Sequence, residues 1–470
     1  MTNETSGAKP APTRAPRIRN EFVRNVLTLM SGTAFAQVLN IVSVIIMGRL
    51  FAPTAIAIFT LVMSAAQMVS PVAAGRYELA IVLPDRDDEG RQLLKLATMI
   101  NAVVALTLTV SMLFLAPTVA DLLTSETDKH LVPQLTRWLY AAGPLAWLIT
   151  QLTTMTYWLT RTKNFKQVAQ NKIHQVTSVT LFQTGAGLLH AGVFGLVVAA
   201  LVGYTASLVN LLRYTRGQYR LTGQAPSLRE LAAEHKKMPL LNGPNALVDS
   251  VRLNGINMMI SAFFTATSLA QFSLAWRALQ APMSLINAAV SQVFFPQLAR
   301  VARGRMLSVV RKAILRGVLL GIVPFGLIWL LSPWLIPFVL GDRWHLAGLV
   351  AQVLVPWLFM NFVTSPISTV FVVVRRQFTL LVFSIAYCVV PLSIIWFRHD
   401  DLLETMGLVA WSMAGLLVVF LVLTILVSWQ YDRGFGQRDA ERNTPVSAPA
   451  DAAQVEAAEE VVTDKGPLER

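Results

Sequence analysis

Apolar residues in this chain come in long blocks, separated by short polar gaps. About twelve blocks reach the roughly 20 residues that a helix needs to cross a bilayer. They lie near 24–48, 53–75, 94–117, 138–160, 168–189, 191–212, 240–262, 267–296, 313–340, 346–373, 377–397 and 405–430. Helix is the structure they predict, because a segment in lipid must satisfy its own backbone N–H and C=O groups. The pattern predicts an all-α, polytopic membrane protein with about twelve transmembrane helices.

Composition strengthens that expectation. The chain is 54% hydrophobic and only 14% charged, with a mean hydropathy of +0.54, whereas soluble domains carry about 25% charge. The net charge of +13 does not point to nucleic acid. The basic residues form short clusters between apolar blocks, as topology requires. Arg17, Arg19 and Arg24 precede the first span; Arg86, Arg91 and Lys95 follow the second; Arg161, Lys163 and Lys166 follow the fourth. Further clusters follow the sixth (Arg213 to Lys237), eighth (Arg300 to Lys312), tenth (Arg375, Arg376) and last spans (Arg433, Arg438). The intervening loops are basic-poor and hold single residues such as Arg49, Lys129, Arg343 and Arg398. Both termini are therefore expected in the cytoplasm. The polar first twenty residues have no apolar h-region and read as a cytoplasmic tail. The one cysteine, Cys388, can form no intramolecular disulfide.

A weak internal repeat suggests two lobes. Phe51, Thr54, Ala57, Phe59 and Leu61 match Phe264, Thr267, Ala270, Phe272 and Leu274 at a constant offset, and Gln67 matches Gln280. Transporters are commonly built from such repeats. The expected organisation is a tail at 1–23, a six-helix lobe at 24–213, a cytoplasmic linker at 214–239, a second six-helix lobe at 240–432 and a disordered tail at 433–470. SLRELAAEHKK in the linker can form a surface helix. The repeat would be parallel, with its axis along the membrane normal.

Two cations interrupt the apolar pattern. Arg252 and Arg277 lie near the middle of the seventh and eighth spans, where a charge costs roughly 2.5–3.5 kcal/mol on insertion scales. Asn242, Asn245, Asp249 and Arg252 recur at i, i+3, i+7 and i+10, a polar stripe suited to lining a cavity. Asp249 can neutralise Arg252, or Arg277 can take Asp249 instead. The alternative role for both arginines is to hold an anion, and a guanidinium suits a diphosphate by bidentate hydrogen bonding. Gln37, Asn40 and Gln67, with Gln151, Thr153 and Thr154, are uncharged groups able to line a sugar path or to bond helix to helix. His174 can be a structural or a proton-relay histidine. Arg76 and Glu78, after the second span, can be an interfacial anchor pair or part of the site. Trp138, Trp158, Trp344, Trp396 and Trp429 fall near span ends and read as an aromatic belt. No phosphate loop, HExxH, cysteine pair or nucleophile elbow is present, so no catalytic residue, metal site or cofactor is expected.

Three blocks carry a family resemblance. RYELAIVLPDRDDEG (76–90), after RNVLTLMSGTAFAQ (24–37), resembles the start of bacterial oligosaccharide flippases of the polysaccharide transporter group. LAWRALQAPMSLINAAVSQVFFPQLA (274–299) is similar to that family's eighth-span signature, whose arginine corresponds to Arg277. FVTSPISTVFVVVRRQ (362–377) is similar to its tenth span and basic exit. The family shares a superfamily with multidrug/toxin extruders and the peptidoglycan lipid flippase. Met238 departs from the aromatic expected before the proline at the start of span seven. The resemblance implies two six-helix lobes in a V around a central cavity, in the bacterial inner membrane. It also implies movement of an undecaprenyl-diphosphate-linked oligosaccharide between leaflets for exopolysaccharide export. Coupling to H+ or Na+, and partnership with a polysaccharide polymerase and a chain-length regulator, remain open on that reading. Two alternatives stand beside it: a multidrug or cation antiporter, which needs a midplane carboxylate, and a membrane glycosyltransferase, polymerase or ligase, which needs a long outside loop.

Overall fold

The computed structural model describes residues 15–216, 226–280, 283, 305–368, 370–374 and 376–433. These residues are helical and contain no strand. In chain order the helices are α1 (Ala15–Leu50), α2 (Pro53–Ala73), α3 (Asp87–Leu122), α4 (Val132–Leu139), α5 (Ala142–Arg161), α6 (Phe165–Leu188) and α7 (Gly192–Tyr214). There follow α8 (Leu228–Glu234), α9 (Gly243–Phe263), α10 (266–280), α11 (Met306–Leu340), α12 (His345–Thr364), α13 (Val370–Val373), α14 (Gln377–Phe397) and α15 (Leu402–Asp432). The second part of the eighth predicted span and both terminal tails lie outside the described residues.

A helix lies at each expected span position among the described residues, the eighth being described only through its first part. Among the described residues, eight are long and apolar enough to cross a membrane, which makes this a multi-pass membrane protein. α5, α6 and α9 have 20, 24 and 21 residues, enough length to cross, but too many polar groups to qualify by hydropathy. Polar groups are tolerated there because they turn toward protein or water instead of lipid. In α5, for example, Asn101 donates to Gln151 (3.3 Å) and Gln151 donates to Thr98 (3.0 Å).

The tenth span departs from expectation. Hydropathy predicts a helix running to 373, but α12 stops at Thr364 and gives way to a 3-10 turn, Ser365–Ile367, before the four-residue α13. Pro366 accounts for the break, since it has no backbone N–H to continue the helical ladder and its ring crowds the preceding turn. The 118–137 loop also has structure: a 3-10 turn, Glu126–Leu131, leads into α4, which buries Leu135 and Leu139. The linker helix forms as α8, opened by a capping box between Ser227 and Glu230 and anchored by buried Leu231. Of the tryptophans read as an aromatic belt, Trp396 and Trp429 are exposed, but Trp158 and Trp344 are buried core residues.

In the first half, α1 packs on α6, α6 on α7, and α3 on α5. α2 touches α5 and α7, and it also runs along α9 of the second half. In the second half, α11, α12 and α15 pack together, and α14 bridges α15 and α9. The largest apolar core is continuous across both halves, through α2, α9 and α12. A separate core lies under the end of α2, where Tyr77, Leu93, Leu152, Trp158 and Leu231 meet. The chain turns into that core at Gly75 and Arg76, both with left-handed φ near 60°. Glycine adopts this conformation freely and arginine does so at a cost.

Candidate substrate site

α9 presents its polar face toward α14. Arg252 lies 3.5 Å from Asp249, one turn earlier, and 4.7 Å over the ring of Tyr387. The pairing left open by the sequence is thus Asp249 with Arg252. The Arg252 side chain is 12% exposed while that of Asp249 is 47% exposed, so the carboxylate is the more open member. Tyr387 in turn accepts a hydrogen bond from the Trp357 indole. Arg252 Nε and Asn245 Oδ1 are buried without a hydrogen-bond partner among the described residues. Such groups are costly to leave unmet in a low-dielectric site.

Arg277 is placed differently. It sits on α10, beside Trp276, which packs 5.1 Å from Trp357. Its guanidinium crosses to the first half and lies 5.6 Å over the face of Phe59 on α2, within electrostatic reach of Tyr204 on α7. Among the described residues it has no carboxylate partner. Arg277 therefore stands between the two halves, whereas Arg252 is held inside the second.

The uncharged candidates divide likewise. Gln37 and Asn40 lie on α1 and bond one another (2.9 Å). The Gln67 side chain is exposed, and its backbone carbonyl accepts from Ser250 of α9 (2.8 Å). Ser64 on α2 accepts from Asn257 (2.9 Å). These bonds join α2 to α9 along a seam directly beside the two arginines' helices. Gln151 and Thr154 are buried and bonded within the first half. His174 lines an open recess of about 550 Å³ between α6 and α7, with Asn210 and Arg213.

Arg76 and Glu78 form an inward pair, with N–O 3.5 Å and the Glu78 side chain 5% exposed. They lie in the packed turn after α2, and Tyr77 between them donates to the Ala232 carbonyl of α8 (3.1 Å). Burial pushes the Glu78 carboxyl above its usual range, more than the neighbouring Arg76 lowers it.

A second polar cluster was missed from sequence. At the end of α1, Arg49 donates to Val339 and Phe338 carbonyls at the end of α11, both at 2.8 Å. Arg343, just beyond α11, donates back to the Gly48 and Arg49 carbonyls of α1, and Trp344 adds a 2.8 Å bond to Gly48. Each arginine thus satisfies carbonyls that the other helix leaves open at its C-terminus, where a cation is favourable. Gly341, with φ +112°, turns the chain so that Arg343 can reach back. At the same end, Asp128 accepts the Ala266 N–H (2.6 Å) and Ser125 donates to the Ser261 carbonyl. Only a void of about 10 Å³ remains beside Asp128 and Ser261. The sequence signal for this clasp was present: Arg49 and Arg343 are isolated cations in loops otherwise poor in them.

A family described as polysaccharide biosynthesis protein matches residues 46–348, more than half of the chain. No curated protein matches the sequence. Among solved structures, the fold is similar to the lipid II flippase MurJ in an inward closed conformation, with a TM-score of 0.71 and 12% identity over 93% of this chain and 97% of that one. It is similar to the MATE multidrug transporter DinF-BH, at 0.60 and 16% over 89% and 96%. It is also similar to an inward-facing MATE-family transporter of the MOP superfamily, at 0.58 and 15% over 89% and 96%. At these identities the likeness is one of fold.

Proposed function

Because this chain belongs to the polysaccharide biosynthesis protein family and has the fold of the MOP-superfamily transporters, we propose that it flips a lipid-linked oligosaccharide across the bacterial inner membrane. The carrier is undecaprenyl diphosphate. Its diphosphate binds Arg277, with Arg252 as the second cation, and the exposed amide of Gln67 faces the sugar. The lipid tail stays in the bilayer while the two lobes, 24–213 and 240–432, rock about the α2–α9 seam.

The observation that carries this reading is the setting of Arg277: a guanidinium between the halves, lying on a ring, with no carboxylate beside it among the described residues. Such a group has hydrogen-bonding capacity for an anion. A cation antiporter would want the reverse, an unpaired carboxylate, and Asp249 is already beside Arg252. The clasped end of the molecule is the end that the charge pattern assigns to the outside. That supports an inward-facing state, loaded from the cytoplasm. Both termini are then cytoplasmic.

The test is export in a strain carrying Arg277→Ala. The variant should insert normally and abolish polymer export, with the lipid-linked sugar accumulating on the cytoplasmic face. Normal export by a well-expressed variant would refute the assignment. Export of cationic dyes instead would favour the antiporter.

A further inference from the structure

The first half contains a second cavity, whose lining includes none of the residues proposed to hold the substrate. It has a volume of about 480 Å³ and lies between α3, α5 and α7. Its polar lining includes Arg91, Gln92 and Lys95, and its apolar lining includes Met99, Trp147 and Leu212. We infer that this groove binds an anionic phospholipid of the surrounding bilayer, its phosphate at Lys95 and an acyl chain along Met99.

Position places the groove on the lipid side. From the groove's mouth an exposed apolar strip continues along α3 through Met99, Val103, Leu106, Val110 and Leu113. That i, i+4, i+7, i+11, i+14 spacing keeps one face outward. From Lys95 to Leu106 is roughly 16 Å at 1.5 Å per residue, about half of a 30 Å hydrocarbon core. A chain that starts at Lys95 can therefore follow α3 to the middle of the bilayer.

Chemistry selects an anionic headgroup. Among the described residues, no carboxylate lines the groove. Arg91 is engaged by Asp88 at 2.8 Å, but Lys95 is exposed and has no ion pair among the described residues. Thr98, also on the wall, accepts from Gln151, and its own hydroxyl proton has no acceptor among the described residues. The buried Gln92 Oε1 likewise has no donor. A phosphate would take the Lys95 and Thr98 protons, and a headgroup hydroxyl would donate to Gln92. Basic pockets between helices on the cytoplasmic side suit such lipids.

The test is native mass spectrometry of the full-length protein in detergent, titrated with dioleoyl-phosphatidylglycerol, dioleoyl-phosphatidylcholine or inorganic phosphate. Wild type should retain phosphatidylglycerol over phosphatidylcholine. Lys95→Glu, a charge reversal at an exposed position, should lower phosphatidylglycerol retention at least roughly five-fold, since each cation near an anionic headgroup is worth about 1 kcal/mol. Leu212→Trp, which fills part of the apolar lining, should lower retention of both lipids. Equal retention of the two lipids by wild type, or a preference untouched by Lys95→Glu, would overturn the inference. So would displacement of phosphatidylglycerol by inorganic phosphate with Leu212→Trp silent, which would mean a free-phosphate site. Loss of the preference in Arg277→Ala would also overturn it, by making the groove part of the transport path. Export by Lys95→Glu is a separate readout, so failure of this site and failure of the flippase reading are distinguishable.

Discussion

Arg252 stands beside a carboxylate and a phenol of its own half of the molecule. Arg277 crosses to the other half and lies against the face of Phe59. Both residues carry the same cost of a cation within a span, yet the fold offsets it by different means. Asp249 and the Tyr387 ring supply charge and π-density to Arg252. Arg277 receives a ring face and the nearby Tyr204, and on the proposed reading its hydrogen-bonding fork is left for a ligand. The residue type announces a cost, and the neighbours determine whether the residue is a structural cation or a binding one.

The largest effect should come from the less compensated arginine. Arg277→Ala should reduce polymer export at least a hundred-fold in a complementation assay, and Arg277→Lys should restore part of it, because a point charge replaces a bidentate fork. Arg252→Ala should cost less in export, on the order of ten-fold, but should lower the thermal unfolding temperature, since it leaves Asp249 and Tyr387 without their cation. If the two arginines exchanged these phenotypes, the contrast between them would fail.

The clasp sharpens the same contrast from the other end of the molecule. Arg49 and Arg343 bond carbonyls across the halves rather than a substrate. Charge-assisted bonds of this kind are worth roughly 1.5–3 kcal/mol each. The double variant Arg49→Ala/Arg343→Ala should therefore raise thiol labelling of a cysteine introduced at Ala57 several-fold, by opening the sealed end, while leaving substrate affinity almost unchanged. Unchanged labelling would show that the seam stays closed without the arginines.

Much of the fold is legible in the order of apolar blocks. α14 spans 377–397 as expected, because Arg376 and Arg398 bracket an uninterrupted apolar run. The end of α12 was legible only through Pro366, which hydropathy overlooks. The pairing of Asp249 with Arg252 was one of two that the sequence allowed, and the engagement of Arg252 with Tyr387, more than a hundred residues away, left no sign in it. The clasp was harder still. Its acceptors are backbone carbonyls of Gly48, Arg49, Phe338 and Val339, and a carbonyl leaves no mark on a side-chain pattern. Arg277's place between the halves depends on how α10 meets α2 and α7, which spacing along one helix cannot supply.

The smallest expected effect concerns Glu78. Burial raises its carboxyl pKa in the folded state, so the fold favours the protonated form. Stability from this group is then fullest at low pH and is lost as pH rises through the raised value. Glu78→Gln should equal or slightly exceed wild type in thermal stability at pH 7.5, and the difference should shrink as the pH falls toward the ordinary carboxylate range. A variant clearly less stable at pH 7.5 would show that the ion pair with Arg76 outweighs the cost of burial.

The most direct measurement is equilibrium binding of a polyprenyl diphosphate to purified wild-type, Arg277→Ala and Arg252→Ala proteins in detergent, read by fluorescence anisotropy of a labelled ligand. The account predicts that Arg277→Ala weakens binding by one to two orders of magnitude, as loss of charge-assisted hydrogen bonds worth roughly 1.5–3 kcal/mol requires, and that Arg252→Ala weakens it less. Equal affinity of wild type and Arg277→Ala for the diphosphate would contradict it.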